Sequence, residues 1–238
     1  RSGTHSVPIG EGLDGLTRWE VTIAELLSGA GYATGSFGKW HLGSGDGRLP
    51  NDQGFDEWYG IPRTTDESFW PSDPAAKAAG VAFTHIMEGR KGEKSRELEV
   101  YDLDQRRLID DEITRRTVDF MTRSVRADKP FYAYVPYTQV HFPTLPNPKF
   151  AGRTGYGDFP DVLAEMDAHV GEILDLCPQA LGAVRRLDDA VDRREFVELL
   201  GRALEDDALN RFAVQRDQEK HLADDLEHEA LAPLFHDR

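Results

Sequence analysis

Apolar positions in this chain keep two rhythms: a helical recurrence every three to four residues, and short aromatic or β-branched runs of strand length. Residues 1–16 are rich in Gly and small polar residues without a period and read as a loop. Thr22 followed by Glu25 fits a capping box. Ile23, Leu26 and Leu27 form an apolar face behind it, and Gly29 and Gly31 are stop signals, so a short helix is predicted. Tyr32 to Phe37 predicts a strand, with Gly38 to Gly43 where that strand ends. Asn51 to Pro62 and Trp70 to Pro74 are turn-rich and aromatic, which predicts ordered loop without a clear helix.

Helical spacing returns between Leu108 and Ser124 in Ile109, Ile113, Thr117 and Phe120, with Asp110 or Asp111 as the candidate cap. Lys129-Pro130 breaks it. Phe131 to Tyr137 is then an aromatic, β-rich run, and His141 follows in a loop punctuated by Pro143, Pro146 and Pro148. Pro160 suits a first helical turn, and Val162, Leu163, Met166, Val170, Ile173 and Leu174 make one apolar stripe on a third helix. Helices alternating with buried-looking strands predict an α/β layered domain with a mixed, mostly parallel sheet. Sites in such domains lie beyond the carboxyl ends of the strands. From Cys177-Pro178 onward the β-rich runs stop, and Leu187, Val191, Leu199 and Leu200 are set among dense charge. The expected division is therefore residues 1–176, a layered domain, and 177–238, a charged helical segment.

Composition narrows the function classes. The chain has 238 residues, 39% of them hydrophobic, enough for a core. Its 43 acidic against 28 basic residues leave a net charge of -15, which argues against nucleic acid and against an anionic membrane surface as partners. No stretch has the apolar length of a membrane span, so a soluble chain is expected. A single cysteine, Cys177, excludes an internal disulfide framework and leaves the redox compartment open. No signal-peptide pattern opens the sequence, so localisation is not readable from it.

The chemistry-bearing signal is Gly38-Lys39-Trp40-His41-Leu42-Gly43 followed by Gly54-Phe55-Asp56-Glu57-Trp58-Tyr59-Gly60. The two blocks together resemble the sulfatase family, nearest to the arylsulfatases, and the likeness takes in most of residues 1–176. It implies an alkaline-phosphatase-like layered fold and cleavage of sulfate esters. A sulfate ester already carries negative charge and gains more on the leaving oxygen, so its site needs fixed cations and a proton donor. By the resemblance, Lys39 contacts a sulfate oxygen as a compact charge. His41 orients the attacking group and later acts as a base. His141, in Val140-His141-Phe142-Pro143, binds sulfate and protonates the leaving oxygen.

The resemblance also implies calcium and a formylglycine made from a C-x-P-x-R segment. Cys177 is followed by Pro178, Gln179 and Ala180 and does not match that segment, so this chain is expected to supply no metal ligand and no nucleophile. The nearest imitation of a metal-binding Asp-Asn pair, Asp188-Asp189, falls in a helical pattern. The partner implied is a small-molecule or glycan sulfate ester. Trp40, Trp58 and Tyr59 read as packing residues, Asp56 and Glu57 as turn closers, and His85, His169, His221, His228 and His236 as solvated or satisfied histidines. Two other functions stay open at this point. One is a metal-dependent phosphoesterase of the same superfamily; the other is a non-catalytic interaction module, including a frame-shifted product.

Overall fold

The computed structural model describes residues 15–17 and 19–188. Its centre is β1, Ala33–Lys39, whose small residues are buried on both faces up to Gly38. A strand buried on both faces needs parallel neighbours and a layer on each side. β1 has them: it pairs in parallel with β2, Glu57–Ile61, and with β5, Phe131–Tyr134. β3, His85–Arg90, runs antiparallel to β2, and β4, Arg96–Val100, antiparallel to β3. The order among the described residues is β4-β3-β2-β1-β5, so four of the five strands point the same way and the sheet is mixed and mostly parallel.

On one face lies α3, Leu103–Arg126, which presents Ile109, Ile113, Phe120 and Met121 to Phe37, Tyr59, Ile61 and Ile86 of the sheet. α4, Asp158–Asp188, packs on α3. On the other face α1, Ile23–Gly29, inserts Ala24 beside Trp40 and Phe55, with Tyr132 and Tyr134 of β5 against them. The predicted capping box of α1 is complete: Thr22 Oγ1 accepts from Glu25 N at 3.1 Å and Glu25 Oε2 accepts from Thr22 N at 2.8 Å. Its apolar face is not the buried one throughout, since Ile23 is 58% exposed while Ala24 is fully buried.

Several expectations need correction. Residues 57–61, read as loop, are β2, with Trp58, Tyr59, Gly60 and Ile61 buried. The run Pro74–Ala78 is a short helix, α2, capped by Asp73. The β3–β4 hairpin had no alternation to announce it, because only Ile86 is fully buried and the edge strand β4 is solvent-facing and charged. α3 begins five residues before Leu108, capped by Asp102, whose carboxylate accepts from Asp104 N and Gln105 N. Asp110 is therefore not a cap but a buried residue inside the helix. α4 passes through Cys177 and Pro178 to Asp188: a proline removes one helical donor without ending a long helix. Its buried face is Asp161, Val162, Glu165 and His169, while Leu163, Val170 and Leu174 are exposed. The rest of the charged segment, residues 189–238, with His221, His228 and His236, lies outside the described residues.

Candidate active site

The motif block straddles the carboxyl end of β1. Gly38 and Gly60 are register partners in β1 and β2, both at positive φ (137° and 151°). A Cβ on Gly38 would sit 2.1 Å from Pro136 O, and one on Gly60 would sit 1.8 Å from Gly38 O. Only glycine lets the β1, β2 and 136 backbones approach this closely. The close approach sets the backbone pairing of the next three residues: Lys39 N donates to Pro136 O, Trp40 N to Ile61 O, and His41 N to Pro62 O. Trp40 and Trp58 are packing residues, their indole N–H groups donating to Arg48 O and Ser95 Oγ. Asp56 and Glu57 make no acid–base pair, since Asp56 accepts from Thr34 N at 3.1 Å and Glu57 faces Arg123 and Arg90.

His41 has left-handed backbone, φ 49°, a conformation that costs a non-glycine residue free energy and is held only where surroundings impose it. Its Nε2 is buried, makes no hydrogen bond, and faces Glu67 Oε1 at 3.5 Å. Glu67 closes the 3₁₀ turn Thr65–Glu67, and its other oxygen accepts from Arg63 Nε at 2.9 Å. The residue before it, Asp66, brings Oδ1 to 3.6 Å from His141 Nε2. Burial works against ionisation of Asp66, but the nearby Thr64 hydroxyl and the charges of His141 and Lys39 outweigh it and hold the carboxyl below its ordinary range. His41 and His141 therefore converge on one turn, arriving from the residue after Trp40 and from the loop after β5, and the charge of Lys39, at the end of β1, acts on the same turn.

His141 is aimed from below by two residues of α3 that no sequence motif marks. Arg106, fully buried, donates to Thr138 Oγ1 at 3.0 Å, Gln139 Oε1 at 2.6 Å and His141 O at 3.0 Å. Asp110 accepts from Thr138 N and Gln139 N, both at 3.0 Å. Burial pushes the Asp110 carboxyl up, against the pull of Thr138 and the Arg106 charge. The available signal was the helical period itself: positions 106 and 110 lie on the face shared by Ile109, Ile113 and Phe120, where a charged pair must have a task. His141 Nδ1 lies 3.0 Å from Phe142 O, so the carbonyl takes the Nδ1–H and Nε2 looks toward Asp66.

His85 pairs with Glu97 at 3.7 Å. His169 is more than a bland core histidine. It is stacked on Tyr137, and its Nε2 stands 3.4 Å from Asp111 and 3.7 Å from Glu165.

The sequence matches the sulfatase family over residues 1–209, beyond residue 176 and into the charged segment, and the chain belongs to that family. It is 34% identical over 170 residues to human arylsulfatase A, covering 67% of this chain and 32% of that protein. To an N-acetylgalactosamine-6-O-sulfatase of Bacteroides thetaiotaomicron it is 31% identical over 202 residues, covering 65% and 38%. The crystal structure of PsFucS1 sulfatase from Pseudoalteromonas sp. superposes with a TM-score of 0.62 at 29% identity, over 68% of this chain and 35% of that one. The chain thus spans about a third of the length of the curated relatives it matches.

The family generally uses a formylglycine and a divalent metal. The chain has no C-x-P-x-R segment, and among the described residues no group of three or more His, Cys, Asp or Glu is placed to hold a metal. Among the described residues no helix is long and apolar enough to cross a membrane.

Proposed function

We propose that the chain carries the sulfate-binding and proton-transfer side of a sulfuric ester hydrolase of the arylsulfatase type. The observation that supports this is the convergence of His41 and His141 on the Thr65–Glu67 turn, beyond the carboxyl ends of β1 and β5, where the Lys39 charge also acts. Open α/β sheets bind ligands at that end.

In this reading Lys39 holds a sulfate oxygen by charge. His141, with Nδ1–H engaged by Phe142 O, offers its Nε2 proton to the ester oxygen as the S–O bond breaks. The electron pair of that bond stays on the alcohol oxygen, which leaves as the neutral alcohol. His41 accepts a proton when sulfate is released. The attacking oxygen and any metal, calcium included, have to come from residues other than those described, and no step is assigned to them. The relatives' names, arylsulfatase and N-acetylgalactosamine-6-O-sulfatase, favour an aryl or glycan sulfate ester as substrate.

The test is hydrolysis of 4-nitrophenyl sulfate and 4-nitrophenyl phosphate by the full-length protein that carries this chain. Sulfate is expected to be the better substrate, and Lys39→Ala to lower kcat/KM by about 10²-fold or more. Hydrolysis of the phosphate ester alone would establish the phosphoesterase reading instead.

A further inference from the structure

We infer that Glu67 is a positioning residue for His41, forming with Arg63 a charge-balanced relay, Arg63–Glu67–His41, that sets which imidazole nitrogen faces the reacting group. The inference rests on the proposed sulfatase site and adds a residue to it.

The geometry carries it in three steps. The Glu67 side chain is only 8% exposed, so its charge needs compensation, which Arg63 supplies through one carboxylate oxygen at 2.9 Å. The second oxygen, Oε1, is turned to His41 Nε2 at 3.5 Å, a ring nitrogen that is buried without a hydrogen bond. The turn holding Glu67 is itself anchored: Ser68 N donates to Thr65 O at 3.1 Å, and Thr65 Oγ1 lies 3.3 Å from the Tyr101 hydroxyl.

A carboxylate can only accept, so the nitrogen facing it carries the proton. His41 is then the Nε2–H tautomer, and Nδ1 is left with its lone pair for the substrate side. That is the form a base needs. Glu67 touches no reacting atom; it acts through His41.

The experiment compares wild type, Glu67→Gln and Glu67→Asp in the full-length protein. Gln keeps the shape and Asp keeps the charge but withdraws it by one methylene. Imidazole ¹⁵N NMR, with His41 assigned by a His41→Asn variant, reads the tautomer directly. The wild type is expected to show His41 as Nε2–H, and E67Q to shift it toward a mixture. With sulfate esters, E67Q is expected to lower kcat on the order of 10²-fold with KM changed less than about twofold, and E67D to fall between. An Nδ1–H tautomer in the wild type, or unchanged tautomer and kcat in a folded E67Q, would overturn the inference. If the wild type hydrolyses no sulfate ester, the sulfatase reading fails, and the tautomer comparison still decides the role of Glu67.

Discussion

Asp110, in the middle of α3, accepts both the backbone N–H and the hydroxyl of Thr138 at 3.0 Å, so a helix behind the sheet dictates the path of the loop that ends in His141. Arg106 lies one helical turn earlier and holds the same loop by its side chains and carbonyls. Removing Asp110 leaves the Thr138 and Gln139 N–H groups buried without their acceptor. Asp110→Ala is expected to cost about 1–3 kcal/mol of stability for each N–H group left unpaired, more than Asp110→Asn, which keeps the shape. Urea denaturation of the three proteins measures this, and an Ala variant as stable as wild type would contradict it.

Gly38 and Gly60 face each other across β1 and β2 with no room for a methyl group on either. Gly38→Ala and Gly60→Ala are each expected to destabilise by more than the about 0.4–1 kcal/mol that such a change gains where the backbone permits it, because φ is positive and the clashing atoms are backbone that cannot rotate away. Loss of soluble protein or a large fall in Tm is the expected result. Gly29→Ala, where a Cβ meets nothing within 4 Å, serves as the control.

His169 should make stability depend on pH. Burial works against its charged form, but Glu165, then Asp111 and more weakly Asp110, outweigh burial and raise its pKa. Lys149 neutralises part of Asp111 from the loop before α4. A raised folded pKa means the folded state binds the proton more tightly. The stabilisation is therefore fully present below the unfolded value of about 6.5 and is lost as pH rises through the higher folded value. Melting curves across that range are expected to show Tm falling with rising pH, and His169→Gln to flatten this component.

Two isoleucines separate core from surface. Ile113, fully buried against the sheet, is expected to cost about 2–5 kcal/mol when replaced by Ala. Ile23, 58% exposed on α1, is expected to cost within about 0.5 kcal/mol, although both are apolar residues in helices. Equal losses in denaturant midpoint would show that the α1 face is buried in solution.

What the chain determined by itself is what physics settles within a few residues. The Thr22–Glu25 box and the Pro160 turn are local hydrogen-bond and backbone rules, and both helices form where those rules place them. The block from Gly38 to Gly43 was legible through its resemblance, with residues 54–60, to the sulfatase family, and the folded chain adds that the close approach at Gly38 admits only glycine. The α/β class followed from the alternation of helical and strand-like runs. Tertiary structure decided the rest. Residues 57–61 look like loop until β1 on one side and β3 on the other supply hydrogen-bond partners. The Leu163, Val170 and Leu174 stripe is helical yet exposed, because the buried Asp161–Glu165–His169 face meets polar partners in the preceding loop and, at His169, in α3. The setting of His41 and His141 was equally hidden, because Glu67 reaches one from 26 positions away, as Asp66 does the other from 75. A motif records which side chains the chemistry needs; only the folded backbone brings a carboxylate from elsewhere in the chain to face each of them.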